Sequence, residues 1–193
     1  MLIVERIFLL LQSRFITGGH MTETLATLTY TYVVSRYLVC ISLTIAYINV
    51  LEILSCDIHN AYLTAECWEN ICTRDGPEFV SEVGTIIIIR VALYGLKSRD
   101  TDFHAHLDET LNDIRFLSTK ADPDLWIRPA VKPNGFEYYK YILCYVGDIL
   151  CIYHDPGIAL RQIQAIFKIE EYQMEKPKIY LGGEVVRNIV YGA

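Results

Sequence analysis

Two aspartates carry most of the chemistry that this sequence can offer. Asp57 closes the apolar run L-E-I-L-S-C-D, and Asp148 follows Gly147 in Y-I-L-C-Y-V-G-D-I-L-C-I-Y, residues 141–153. Ionised carboxylates are the hard oxygen ligands that magnesium-class cations take. Held together on rigid elements, such acids position an ion that polarises a phosphoryl oxygen or activates an attacking hydroxyl. Val, Ile, Leu, Cys and Tyr favour buried extended chain, so each acid is expected at the end of a strand. Gly147-Asp148 is a turn dipeptide, which predicts an apolar hairpin with Asp148 at its tip. Gly-Asp turns are common in hairpins with no chemistry; the second acid, Asp57, gives this one a candidate role.

The flanking periodicity supplies the elements that must position the pair. Apolar residues at 33, 34, 37, 38, 41, 45 and 48 predict a helix within Thr31 to Ile48, packed under a sheet, and Val50 to Ser55 then alternates into the strand that delivers Asp57. Thr85 to Val91 reads as a strand through four consecutive isoleucines. Phe103 to Leu117, apolar at 103, 107, 111 and 114, reads as an amphipathic helix backing the sheet. Asp122-Pro123-Asp124 is a turn whose acids serve as caps, Leu125 to Arg128 a short strand, and Lys132-Pro133-Asn134-Gly135 a hairpin turn into Phe136 to Val146. Ile158 to Ile169 has helical spacing, and Lys178 to Val186 reads as a last strand. Glu52 lies five residues before Asp57, an odd number, so on one strand it faces the other side and is a poor substitute ligand.

With 52% hydrophobic and 12% aromatic residues, the 193-residue chain is expected to form one compact unit with a real core. A net charge of -6 and a pI near 5.3 are poor for a free-standing nucleic-acid binder, because phosphate neutralisation supplies most non-specific affinity. The six cysteines lie mostly in apolar runs without C-x-x-C spacing and read as buried, reduced thiols of an intracellular protein, in the cytoplasm or nucleus. Glu5 and Arg6 interrupt the apolar run of Met1 to Leu11, arguing against a secretory signal. Ser42, Thr44, Asn49 and Glu52 dilute Leu38 to Leu54, arguing against a membrane span.

Six segments, in order, give the sequence a resemblance: S-R-F-I-T-G-G-H-M (13–21), C-D-I-H-N-A-Y-L (56–63), V-A-L-Y-G-L-K (91–97), K-A-D-P-D-L-W-I-R (120–128), Y-V-G-D (145–148) and Y-L-G (180–182). Together they resemble the reverse transcriptase domain of copia-type LTR retrotransposons. The resemblance covers residues 14–193, leaves 1–13 unmatched, and implies an α+β fold: a polymerase palm with an antiparallel sheet backed by helices, plus partial fingers. It further implies that Asp57, Asp148 and the Ile58 carbonyl hold two Mg²⁺ ions. Tyr62 would sit beneath the sugar and exclude a 2'-hydroxyl by bulk. Arg14 would contact the incoming triphosphate, Gly95 would permit close backbone approach, and Lys97 would lie near nucleotide or template. Y-L-G resembles the primer-grip region. The implied partners are an RNA or DNA template-primer and deoxynucleotides, with no membrane. Thumb, RNase H, protease and integrase have no counterpart in these residues.

One departure bears on activity. The family carries Tyr-x-Asp-Asp at the hairpin tip, whereas this chain reads Tyr145-Val146-Gly147-Asp148. With Gly147 in place of the first acid, two carboxylates must hold both ions, and a ligand is missing from each. A loss of several kcal/mol of transition-state stabilisation corresponds to at least roughly a thousandfold in rate. The sequence therefore predicts an impaired RNA-directed DNA polymerase. The alternatives are a non-enzymatic remnant that binds nucleic acid weakly, or a protein-interaction module using an exposed sheet edge.

Overall fold

Apolar runs rich in β-branched and aromatic residues between 125 and 153, separated by short turns, form paired strands, and the rest of their unit is arranged around them. A computed structural model describes residues 33–69, 71–74, 84–169 and 174–186. In chain order the elements are α1 (Arg36–Ile48), β1 (Glu52–Asp57), a 3-10 turn (Ala61–Thr64), β2 (Cys72–Arg74), β3 (Ile86–Ile88), α2 (Arg99–Asp113) and β4 (Leu117–Ser118). There follow β5 (Leu125–Val131), β6 (Glu137–Tyr145), β7 (Asp148–Tyr153), α3 (Pro156–Gln164), β8 (Ile179–Tyr180) and β9 (Gly183–Glu184). This is an α+β fold. In place of the one compact unit expected, the described residues fall into two, one holding those within 61–106, the other those within 33–60 and 107–186.

The larger unit is built on an antiparallel sheet of order β1-β7-β6-β5-β4. Successive side chains alternate between its faces, so the register sorts the residues. Leu143 and Leu150 pair on one face, with Leu125 opposite Leu143. There they join Val34, Val39, Ala46, Leu51, Ile152 and Tyr180 in a buried cluster, which places α1 over this face. On the other face Trp126 is fully buried and donates its indole N–H to Asp108 of α2, at 2.8 Å. Tyr153, also buried, accepts from the Ala159 N–H at 2.6 Å and donates to the Pro156 carbonyl at 3.2 Å. Its hydroxyl thereby satisfies an amide in the first turn of α3, where the Asp155 side chain makes no capping bond.

Asp122 forms the turn cap expected of it. One carboxylate oxygen accepts from the Asp124 N–H at 2.9 Å, and the other accepts from the Ser35 N–H at 3.3 Å. Ser35 is itself the N-cap of α1, accepting from the Leu38 N–H. A sequence-distant turn is thus tied to the start of the helix.

The start of α1 and both ends of α2 correct the sequence reading, while the end of α1 at Ile48 is as foreseen. The helix foreseen within Thr31 to Ile48 occupies Arg36–Ile48, and the one placed at Phe103 to Leu117 runs from Arg99 to Asp113. At the end of α1, the Val50 N–H donates to Tyr47 and the Leu51 N–H to Ala46, at 3.2 and 2.8 Å. This is the paired closure of a Schellman motif, and it needs a left-handed residue at Val50, where φ is 49°. At the end of α2, Arg115 N–H donates to Asn112 and Phe116 N–H to Leu111, with Arg115 at φ 65°. Neither helix ends on the glycine that normally marks such a closure. The Lys132 ammonium reinforces the first by donating to the carbonyls of Asn49 and Val50. The last strand foreseen at Lys178 to Val186 is instead a tight hairpin, because Leu181 and Gly182 both adopt positive φ.

The smaller unit pairs β2 with β3 and gathers Ile89, Leu93 and Leu96 into a separate cluster with Leu63, Cys67, Ile71 and Val91. The strand foreseen over Thr85 to Val91 is regular only from Ile86 to Ile88. All six cysteines are free thiols; Cys56, Cys144 and Cys151 are buried as expected, whereas Cys40 and Cys72 are exposed. Among the described residues no helix is long and apolar enough to cross a membrane.

Two substitutions check this packing. A β-branched residue in the left-handed region costs about 1–2 kcal/mol, and Val50 is 67% exposed, so Val50→Gly is expected to stabilise the chain by about 1 kcal/mol in urea denaturation. Leu150→Ala, emptying a fully buried position, is expected to destabilise it by about 2–5 kcal/mol in the same assay.

Candidate active site

The acidic pair is made by the register between β1 and β7. These strands pair antiparallel with Asp57 directly opposite Asp148, so both side chains project from one face at one end of the sheet. The Ile58 N–H donates to the Gly147 carbonyl at 2.9 Å, which makes the next pair inward, Asp57 with Asp148, one of the non-hydrogen-bonded kind. Such pairs bring Cβ atoms to about 4.5–5.5 Å, within reach of a shared cation.

The hairpin tip differs from the reading by one residue. Tyr145 pairs with Asp148, so Val146 and Gly147 are the two turn residues and Asp148 opens the returning strand. Val146 has a φ of 57°, unusual for a β-branched side chain, while Gly147 lies outside the left-handed region. The Cys144 thiol donates to the Val146 carbonyl at 2.8 Å, and the Tyr180 hydroxyl donates to the Asp148 carbonyl at 3.3 Å. The second contact gives Y-L-G a place beside the acids.

Desolvation against the packed sheet lifts both carboxyls above the ordinary aspartate value, although both residues are exposed. For Asp57, desolvation raises the pKa and the nearby His59 pulls it back. For Asp148, desolvation leads and the negative charge of Asp57 adds to it. Cys56, behind Asp57 on the strand, is pushed up to about 12 by burial and then by the two aspartates. That thiol stays protonated and is no nucleophile. Among the described residues no group of three or more His, Cys, Asp or Glu side chains is arranged to hold a metal ion. The acids that the β1–β7 register brings together are Asp57 and Asp148. Glu52 is paired with the Lys176 ammonium at 3.0 Å, in keeping with its place on the opposite face.

The remaining sequence candidates fall elsewhere. Arg14 and Gly18-Gly19 lie outside the described residues. Tyr62, Gly95 and Lys97 belong to the smaller unit. Tyr62 is 8% exposed, and its hydroxyl donates to Asp100 at 2.5 Å. Its ring meets Tyr94 and Phe103 edge-on, with centroids 5.1 and 6.1 Å away, and carries the Arg99 guanidinium 5.2 Å from its centroid. Gly95 has a φ of 96°, a conformation that glycine adopts freely. Lys97 is half-buried.

Sequence reasoning missed the contact at the free side of β1. There Ser55 and Glu175 exchange backbone hydrogen bonds of 2.8 and 3.1 Å. Nothing in the composition around Glu175 signals that pairing.

Over 136 residues, 68% of this chain, the sequence is 26% identical to the retrovirus-related Pol polyprotein from transposon RE1 of Arabidopsis thaliana. This chain resembles a stretch of a retrotransposon polyprotein. The matched stretch is 9% of that polyprotein's length, so the activities of the whole do not carry over to it as findings. No protein-family model and no solved structure matches the chain.

The raised carboxyls give a test with a definite sign. A carboxyl whose folded pKa exceeds its unfolded value of 3.8 destabilises the folded chain once ionised. The corresponding stability is present below 3.8 and is lost as pH rises through the folded value. Asp148→Asn is therefore expected to raise the urea midpoint at pH 7, with the gain shrinking as pH falls toward 4. Equal midpoints at pH 7 would show that the two acids do not repel. In the smaller unit, Tyr62→Phe is expected to cost about 1 kcal/mol through loss of the Asp100 hydrogen bond.

Proposed function

We propose that the chain is the palm, with part of the fingers, of a copia-type reverse transcriptase whose nucleotidyl transfer is disabled at Gly147. The observation that carries this reading is the face-to-face placement of Asp57 and Asp148 at the end of an antiparallel sheet backed by helices. The likeness to a retrotransposon polyprotein supports it independently.

The residues fit a divalent cation in part. Two carboxylates on one face, one made less acidic by the other, are a donor set that a hard cation relieves. Asp57 and Asp148 would hold it, with the Ile58 carbonyl as a further oxygen. The chemistry a bound Mg²⁺ supplies in such a site is neutralisation of the transferred phosphate and activation of the attacking hydroxyl. The chain's own residues do the positioning: the Gly147–Ile58 hydrogen bond fixes the register, and Tyr180 steadies the Asp148 backbone. In this reading Tyr62 discriminates the sugar, Arg14 and Lys97 contact phosphate, Gly95 lets backbone approach, and a template-primer with deoxynucleotide is the ligand.

Gly147 favours the inactive form of this function. Its φ lies outside the left-handed region, so an aspartate is conformationally admissible there. The interaction-module alternative has less to stand on. One edge of the sheet is engaged at Ser55 by Glu175, and the other is the two-residue β4.

The test is primer extension on poly-rA/oligo-dT with Mg²⁺, beside Mn²⁺ binding followed by electron paramagnetic resonance. The chain as it stands is expected to extend primer at least roughly a thousandfold more slowly than its Gly147→Asp form. That form is also expected to bind Mn²⁺ about tenfold more tightly, a gain that Asp57→Asn removes. Measurable extension by the unaltered chain would overturn the disabled reading. Unchanged Mn²⁺ affinity in the Gly147→Asp form would overturn the metal site.

A further inference from the structure

A second site lies on the opposite face of the sheet, at the other end of β7. A groove of about 470 Å³ opens there, lined by Arg128, Lys132, Tyr138, Lys140 and His154 among others, with Asp155 as its one carboxylate. Three basic side chains around one acid form a local excess of positive charge, in a chain whose 23 acidic residues outnumber its 17 lysines and arginines.

The arrangement within the groove is more specific than its charge. Arg128 and Lys140 are direct cross-strand partners on β5 and β6. Like charges so opposed destabilise a sheet, because their side chains project side by side from one face. Their hydrogen-bond and ring partners are neutral groups. Arg128 donates one guanidinium N–H to the Ile114 carbonyl at 2.8 Å and lies 5.9 Å from the Phe116 ring centroid. A guanidinium has five N–H donors in a planar fork, so this bond leaves donors over. The Lys140 ammonium sits over the Tyr153 ring, 4.9 Å from its centroid. Tyr153 is itself held by its bonds to the first turn of α3, which fixes the platform under the lysine.

We propose that this groove is a phosphate-binding site, in which Arg128 and Lys140 together hold one phosphate group. A planar fork beside a compact ammonium matches the several oxygens of a phosphate better than either cation alone. An anion there would also remove the repulsion between the two strands. Burial and the neighbouring Arg128 already press the Lys140 ammonium below the usual lysine range, with Asp155 opposing. A bound phosphate reverses that pressure. The phosphate can belong to a free mononucleotide or to a nucleic-acid strand, since both offer the same oxygens.

The test uses the full chain and amide chemical shifts of the groove during titration with inorganic phosphate, dTMP and a dT12 oligonucleotide. Lys140→Gln is expected to weaken phosphate binding at least tenfold, Lys140→Arg to restore most of it, and Lys120→Gln, at an exposed position, to leave it unchanged. Asp148→Asn is expected to leave it unchanged as well, which separates this site from the acidic pair. Tighter binding of dT12 than of dTMP, with a steep salt dependence, assigns the phosphate to a strand; equal binding assigns it to the mononucleotide. Binding insensitive to Lys140→Gln, or no shift with any of the three probes, would overturn the site.

Discussion

The pairing of β1 with β7 is the constraint on which the candidate active site depends. A carboxylate at the end of a strand has no meaning by itself; it gains one when register sets another beside it. Here the register is closed by the hydrogen bond from Ile58 to Gly147, one step beyond the acids. A slip of one residue would carry one aspartate to the face where Cys56 and Ile149 pair. The apolar residues behind the acids prevent that slip. Leu150 and Ile152 on one face, with Ile149 and Cys151 on the other, are all fully buried and cannot exchange faces without exposing a core.

The same packing tolerates local strain. Val50, Arg115 and Val146 hold left-handed backbone that their side chains disfavour, and each sits where the chain must reverse direction sharply. The first two close helices so that Leu51 and Phe116 enter the core, both about 1% exposed. The third turns the hairpin that carries Asp148. A core that rewards the reversal sustains a conformation that local propensity opposes. The acids make a similar bargain, since two carboxylates set side by side repel, and the sheet holds them there.

Much of the fold was legible. The apolar runs and turn residues between 125 and 153 foretold the three central strands, and the spacing of apolar residues foretold α1, α2 and α3. Asp122 announced its turn through the Asp-Pro-Asp sequence. The end of α1 at Ile48 was placed correctly, whereas α2 was carried on to Leu117 because the usual stop signal, a glycine just past the last turn, is missing; Arg115 takes that role without looking like it. The tip of the hairpin was displaced by one residue for a related reason. Gly147-Asp148 is the dipeptide that suggests a turn, yet the residue with positive φ is Val146. Long-range contacts left no local trace, among them Glu175 beside Ser55, Tyr180 on the Asp148 carbonyl, and Tyr153 bridging Pro156 and Ala159.

By itself, the sequence determined which residues could be buried, which segments would be strand or helix, and that an acid stands at 148 but not at 147. Those properties follow from side-chain volume, polarity and periodicity, all carried by neighbours along the chain. Only the tertiary structure decided that Asp57 and Asp148 meet, and that Arg128 and Lys140 stand opposed above Tyr153. Proximity between residues far apart in sequence is fixed by the register of packed strands, which depends on the whole core at once.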